Sequence, residues 1–374
     1  MIGLRSARWR AGLLPAVLLA FGCGDGEPNA VARPDVIDAL PADTAVITTD
    51  SIPGGLTADA LAEWRAARDA LVGASSLLGI GDHEEGPAVF GEITDAAIDG
   101  AGNILVLDRQ AVRVSVFDPE GGFLGSFGGR GDGPEELREP RHFTLLGEDR
   151  IAVPIPGRIK VFRPEEGQWR LGDLVELSLL ANDICTTSDD RLFVSAWQEE
   201  GNTVVHEISG SEIAASFGTG YPSEDWLLRF QLSEGLLACM THPPGLAHAL
   251  RYAPQVRLFA LDGSLLWSAA LSDYTPIETS TTPGSVSMSI SEDYDLLASI
   301  HGTPSGHIVL QYAHRRAGTD PHLRTYLVDA ATGSGALVSS DLPSIKFIGP
   351  DSYIAAFADP YPRIEVREVD GWEG

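Results

Sequence analysis

TDAAIDGAGNILVLD (94–108) and RVSVFDPEGGFLGSFGGRGDGP (113–134) hold the reading of this chain. ILVLD and RVSVF are short apolar runs rich in β-branched residues, and FLGSF is a third run, interrupted by two small residues. Asp/Gly clusters (DGAGN, DPEGG) separate them, where Asp bonds its own backbone and Gly accepts φ above zero. Continuous apolar runs of this length suit strands buried on both faces; alternation suits a strand with one wet face.

The same grammar recurs along the chain. A turn followed by an apolar strand appears at 99–108, 147–155, 188–196, 233–240, 291–300 and 349–357. Each is followed by a second strand, at 113–128, 158–172, 203–218, 256–271, 324–340 and 363–373. Ile104, Ile151 and Leu192 occupy equivalent places, 47 and then 41 residues apart. Later steps are longer, and the extra residues fall in 242–254 and 303–322, which read as inserted loops. Periods of this size with four short strands per unit are those of a propeller blade. The expected fold is all-β, a six-bladed β-propeller over residues 74–374.

A second repetition closes the ring. Residues 77–98 and 124–145 both run strand, Gly-x-Gly, acidic turn, Gly-Pro, strand. The last unit stops one strand short, so the strand near 75–80 is expected to complete it and remove the exposed edges. The stretch 90–145 resembles an NHL-type repeat, and most resembles the bacterial lipoproteins known as six-bladed β-propellers. That resemblance implies a rigid ring presenting a ligand surface.

Ahead of the ring, residues 1–22 read as a signal peptide. Arg5, Arg8 and Arg10 precede the short apolar run Ala11–Gly22. About a dozen residues are too few for a bilayer, which needs roughly 20. Ala20-Phe21-Gly22-Cys23 resembles a bacterial lipobox, although Leu19 sits one place too far back. The resemblance implies acylation of Cys23, outer-membrane localisation and membrane contact through the anchor alone. Residues 23–56 read as a polar flexible tether. Residues 57–73 read as a short helix, with Thr57 as N-cap and Leu61, Trp64 and Leu71 on one face.

Charge narrows the partners. The chain carries 26 Lys and Arg against 53 Asp and Glu, a net −27. Such a surface repels phosphate backbones, so nucleic acid is not an expected partner. Cys185 and Cys239 both sit in apolar runs, and two buried thiols or one disulfide are equally open.

No catalytic or metal motif appears. There is no H-E-x-x-H, no C-x-x-C and no P-loop, and Arg130-Gly131-Asp132 reads as an inter-blade turn. Geometry nominates other residues, because the innermost strands of a propeller converge on its channel. These strands are expected to begin at Thr94-Asp95, Arg141-His142, Asn182-Asp183, Leu228-Arg229, Ser285-Val286 and Ile345-Lys346. The candidate ligand-binding set is Asp95, Arg141, His142, Asn182, Asp183, Arg229 and Lys346. Its mixed signs suit a polar ligand site better than a calcium cage, which wants oxygen donors and no ammonium. The expected function is a non-enzymatic module binding a protein, peptide or glycan, with no cofactor. The alternative is a calcium-dependent hydrolase resembling gluconolactonase-like propellers, through Asn182-Asp183. The two insertions, with His242, His248, His301, His307, Arg315 and Arg316, form a second candidate surface.

Overall fold

The computed structural model describes residues 44–82, 84–147, 149–282, 285–289, 293–370 and 372. The segment read as a signal peptide and Cys23 lie outside them.

Four-stranded antiparallel meanders follow one another along the chain. The first is Ile93–Ile98, Ile104–Asp108, Arg113–Phe117 and Phe123–Gly128. The second is Thr144–Leu146, Arg150–Ile155, Arg158–Glu165 and Gln168–Glu176. The third is Asp183–Thr186, Leu192–Gln198, Thr203–Ser209 and Glu212–Thr219. The fourth is Gly235–Thr241, Pro244–Leu250, Gln255–Phe259 and Leu265–Leu271. The fifth is Tyr294–Gly302, His307–Arg315, His322–Asp329 and Gly335–Ser339. The sixth is Ser344–Ile348, Ser352–Phe357 and Arg363–Glu368, with Ser75–Ile80 as its outer strand. The last pairing, Ile80 with Ile364 through Ser75 with Glu368, is the expected closure. First strands gather around one cavity and the fourth strands lie at the far side of each meander, which is β-propeller architecture.

Burial follows the sequence pattern. Ile104–Asp108 is buried throughout because meanders pack on both its faces, whereas Glu212–Thr219 alternates. Asp108 closes the first strand pair: its carboxylate accepts from the backbone N–H groups of Gly91, Glu92, Gln110 and Ala111. In the turn after Arg113–Phe117, Asp118 accepts from Glu120 and Gly122, and Gly121 takes the positive φ of +87°.

Upstream residues strap the later meanders. Ala45–Thr48, within the segment read as tether, is a strand lying parallel to Leu265–Leu271 and Gly335–Ser339, with Ile47 fully buried. It joins the fourth and fifth meanders into one nine-stranded sheet. The helix Ala58–Gly73 is capped by Thr57, whose hydroxyl accepts from the Ala60 N–H. It buries Trp64, Ala67 and Leu71 against Leu327, Ile345, Tyr353 and Trp372. Trp64 Nε1 donates to the Leu327 carbonyl at 2.9 Å.

Four expectations need correction. Leu228-Arg229 lies in a helix, Trp226–Leu232, capped by Asp225, and not on an inner strand. Ser285-Val286 lies in a two-stranded hairpin, Glu278–Thr282 with Ser285–Ser289. The runs 233–240 and 291–300, read as the strands next out from the inner ones, hold the inner strands of their meanders. The supposed insertions are largely strand, Pro244–Leu250 and His307–Arg315, with His248 and His307 buried. The cause is turn chemistry. Elsewhere an Asp/Gly turn follows the inner strand; here it is Thr241-His-Pro-Pro244 and Thr303-Pro-Ser-Gly306, while the acidic cluster precedes the strand.

Candidate functional site

An inner strand has no neighbour on its channel side, so its edge N–H and C=O groups need other partners. Side chains from the preceding meander supply them. Asp95 accepts from its neighbour Ala96 N at 2.9 Å and from Phe143 N of the second meander at 2.9 Å. Asp183 repeats this, accepting from Ile184 N and from Leu237 N of the fourth meander, both at 2.8 Å. Between the fifth and sixth, Gln311 Oε1 accepts from Ile345 N at 2.7 Å, and His301 Nε2 donates to the Ile345 carbonyl at 3.0 Å.

These strands enclose a cavity of about 300 Å³ on the propeller axis. Asp95, His142, Asp183, His301 and Lys346 line it, along with apolar wall from Ile184, Leu236 and Phe347. His142 stands between the two carboxylates, its Nδ1 3.7 Å from Asp95 and 3.6 Å from Asp183. Burial presses its imidazole toward the neutral form, but the negative charges of Asp183 and Asp95 outweigh burial and hold its pKa above the usual 6.5. His301 has no such carboxylate in contact, and burial pushes it down to about 4, so it is neutral at pH 7. Burial also lowers the Lys346 pKa, with Asp95 and Glu92 opposing that.

Of the seven candidates, Asp95, His142, Asp183 and Lys346 meet in the cavity. Arg141 does not line it and reaches Glu234 at 3.5 Å, a carboxylate that also holds Arg251 at 2.9 Å. Asn182 sits before the inner strand, its backbone N donating to Ser195 O at 2.7 Å. Arg229 is on the helix that replaced the expected strand. His301 was read as part of a loop and stands instead in the channel wall. Its signal was the alternation in YDLLASIHG, once that run is taken as an inner strand.

Cys185 and Cys239 form a disulfide between the inner strands of the third and fourth meanders, Cα atoms 5.6 Å apart, which settles the open alternative. The bridge forms part of the cavity wall.

Both cavity carboxylates already accept two backbone N–H groups, which leaves a poor donor set for calcium. Among the described residues, no group of three or more His, Cys, Asp or Glu side chains gathers at ligating distance. Ser195 Oγ lies 3.2 Å from His248 Nε2, but both residues are fully buried and Arg257 stands 3.4 Å from Nδ1, where a triad needs a carboxylate. Burial and Arg257 hold His248 well below its usual pKa, in the neutral form of a packing residue.

No family model and no curated protein sequence matches the chain. Solved structures do. One is a Bacteroides fragilis NCTC 9343 protein described as a "Putative exported protein", 9% identical, with TM-score 0.56, covering 87% of this chain and 100% of its own. Another is a member of the duf4221 family from Bacteroides vulgatus, 8% identical, with TM-score 0.50, covering 80% of this chain and 98% of its own. A third is the Swd1 β-propeller domain of Myceliophteria thermophila, 8% identical, with TM-score 0.44, covering 79% and 99%. At such identities the likeness is one of fold alone.

Proposed function

We propose that this chain is an exported six-bladed propeller of NHL-like type, lipid-anchored to the outer membrane through Cys23, that binds a protein, peptide or glycan without transforming it. The observation that carries the reading is the cavity where the inner strands meet. It is concave and half apolar, with a few convergent polar groups, as ligand sites are. Its two carboxylates, Asp95 and Asp183, are committed to holding the ring rather than arranged as nucleophile and base. Export is supported by the Cys185–Cys239 bridge, since such bonds persist in oxidising compartments. It is supported also by the Bacteroides fragilis neighbour's description.

Capture tests this reading. The purified chain is offered peptide and glycan arrays and an outer-membrane extract, beside Asp95→Asn and Lys346→Met variants. Wild type retains a ligand that the cavity variants lose. Retention equal in all three would move the site away from the channel. A large calcium-dependent rise in Tm, abolished by Asp183→Asn, would favour the hydrolase instead. Cys23→Ser should leave the membrane fraction; continued partitioning would end the anchor proposal.

A further inference from the structure

The chain has only two lysines, Lys160 and Lys346, and the fold treats them oppositely. Lys160 is buried with its ammonium donating to three carbonyls, those of Gly133, Pro134 and Glu136, at 2.7, 3.0 and 2.6 Å. It is the fixed pin of the turn holding Arg130-Gly131-Asp132. Lys346 lines the channel and, among the described residues, makes no hydrogen bond and no ion pair.

The backbone aims it there. In the sixth meander Ile345 pairs with Ala355 and Phe347 with Ile354, so the ladder skips Lys346. A bulge of this kind turns the extra residue away from the regular pleat and recurs beside binding sites. The adjoining inner strand of the first meander has the same break at Thr94, between Ile93 and Asp95. Thr94 lines the same cavity, and its hydroxyl has no hydrogen-bond partner among the described residues.

The carboxylates whose charge acts on it, Asp95 and Glu92, are already engaged. Glu92 is held by Arg109 at 2.6 Å, and Asp95 by Ala96 N, Phe143 N and His142. Lys346 is therefore the cavity's one cation without a contacting partner among the described residues. One ammonium calls for one negative charge. A doubly charged phosphate would bring its second charge against Asp95 and Glu92, which act on Lys346 through space.

We propose that the channel takes a small organic monocarboxylate, with its carboxylate seated on Lys346 Nζ at the bulge. This rests on the binding-module reading and names its ligand class. The wall beyond, with Ile300, Leu236 and Phe347, accepts the ligand's apolar or sugar-ring body, and a cavity of about 300 Å³ suits one small molecule.

Having two lysines makes the test direct. Full chain grown on lysine labelled with ¹³C at Cε gives two side-chain signals, with Lys160 as internal control. The probes are D-glucuronate and lactate, with glucose and lactamide as uncharged counterparts at matched ionic strength. The expected result is a saturable shift of the Lys346 signal with glucuronate or lactate, none with the uncharged pair, and a still Lys160. Lys346→Met should weaken probe binding tenfold or more without lowering Tm, and Lys346→Arg should retain most of it. A Lys346 signal unmoved by both carboxylates, or moved equally by glucose, overturns the proposal. If array capture persists in Lys346→Met but is lost in Asp95→Asn beside that silence, only the ligand class fails. If wild type captures nothing and no probe moves Lys346, the binding-module reading fails with it.

Discussion

The first three meanders and the last three are held together by different means. In the early half each sheet is separate and meets the next through packing and side-chain staples, such as Asp95 to Phe143 N. In the later half, backbone from far upstream adds straps: Ala45–Thr48 between the fourth and fifth, the helix over the fifth and sixth, and Ser75–Ile80 in the sixth. The boundary carries both a carboxylate staple, Asp183 to Leu237 N, and the disulfide. Side-chain staples suffice where the turns are tight and the meanders regular. A strap appears where the hairpin interrupts the succession between the fourth and fifth, and the disulfide where the helix interrupts it between the third and fourth.

This contrast can be broken in several places. The largest effect should come from Trp64→Ala, which empties a fully buried indole site and removes the bond to Leu327 O. A loss of about 3–5 kcal/mol is expected from the urea midpoint. A loss below about 1 kcal/mol would mean the later half does not need its strap. Next, replacing Cys185 and Cys239 with serine opens a link between residues 54 apart in sequence. Chain-entropy reasoning puts the cost at about 2–4 kcal/mol, read by the same titration.

Acid should act unevenly. His248, His301, His307 and His314 in the fourth and fifth meanders, and His206 in the third, all have pKa values lowered chiefly by burial. A base depressed in the folded state binds fewer protons there than when unfolded. The stability it contributes is present above the unfolded value of 6.5 and is lost as pH falls toward the folded value, about 4 for His301. Hydrogen exchange at pH 5 should therefore open the fourth and fifth meanders before the first and second. His301→Gln, which can still donate to Ile345 O, should recover on the order of 2 kcal/mol of the acid loss. Uniform opening would contradict the contrast. The smallest effect is Asp183→Asn, about 1–2 kcal/mol, since the amide oxygen still accepts from Leu237 N but more weakly.

Much of this was legible in the residues. The first meander announces itself by DGAGN and DPEGG, and the closing strand by the repeated Gly-x-Gly and Gly-Pro frame at 77–98. The fourth and fifth slipped by one strand because proline turns replaced Asp/Gly turns, and that slip alone misplaced Arg229 and His301. Asp95 and Asp183 could be placed in the channel from sequence. Their acceptor role could not, because it rests on contacts with Phe143 and Leu237, 48 and 54 residues away. Ala45–Thr48 is four residues in an Ala/Pro/Asp-rich stretch, too short for alternation to register before its partners are known.

The inner strands converge on one charged cavity, and His142 reports on it. Its neighbours Asp95 and Asp183 come from the meanders on either side, so they meet it only if the ring is drawn as described. Titration of the His142 ring by NMR tests this most directly. The midpoint is predicted above 6.5 and should fall when Asp95 and Asp183 are both changed to Asn. A midpoint at or below 6.5, unmoved by that double substitution, would contradict it.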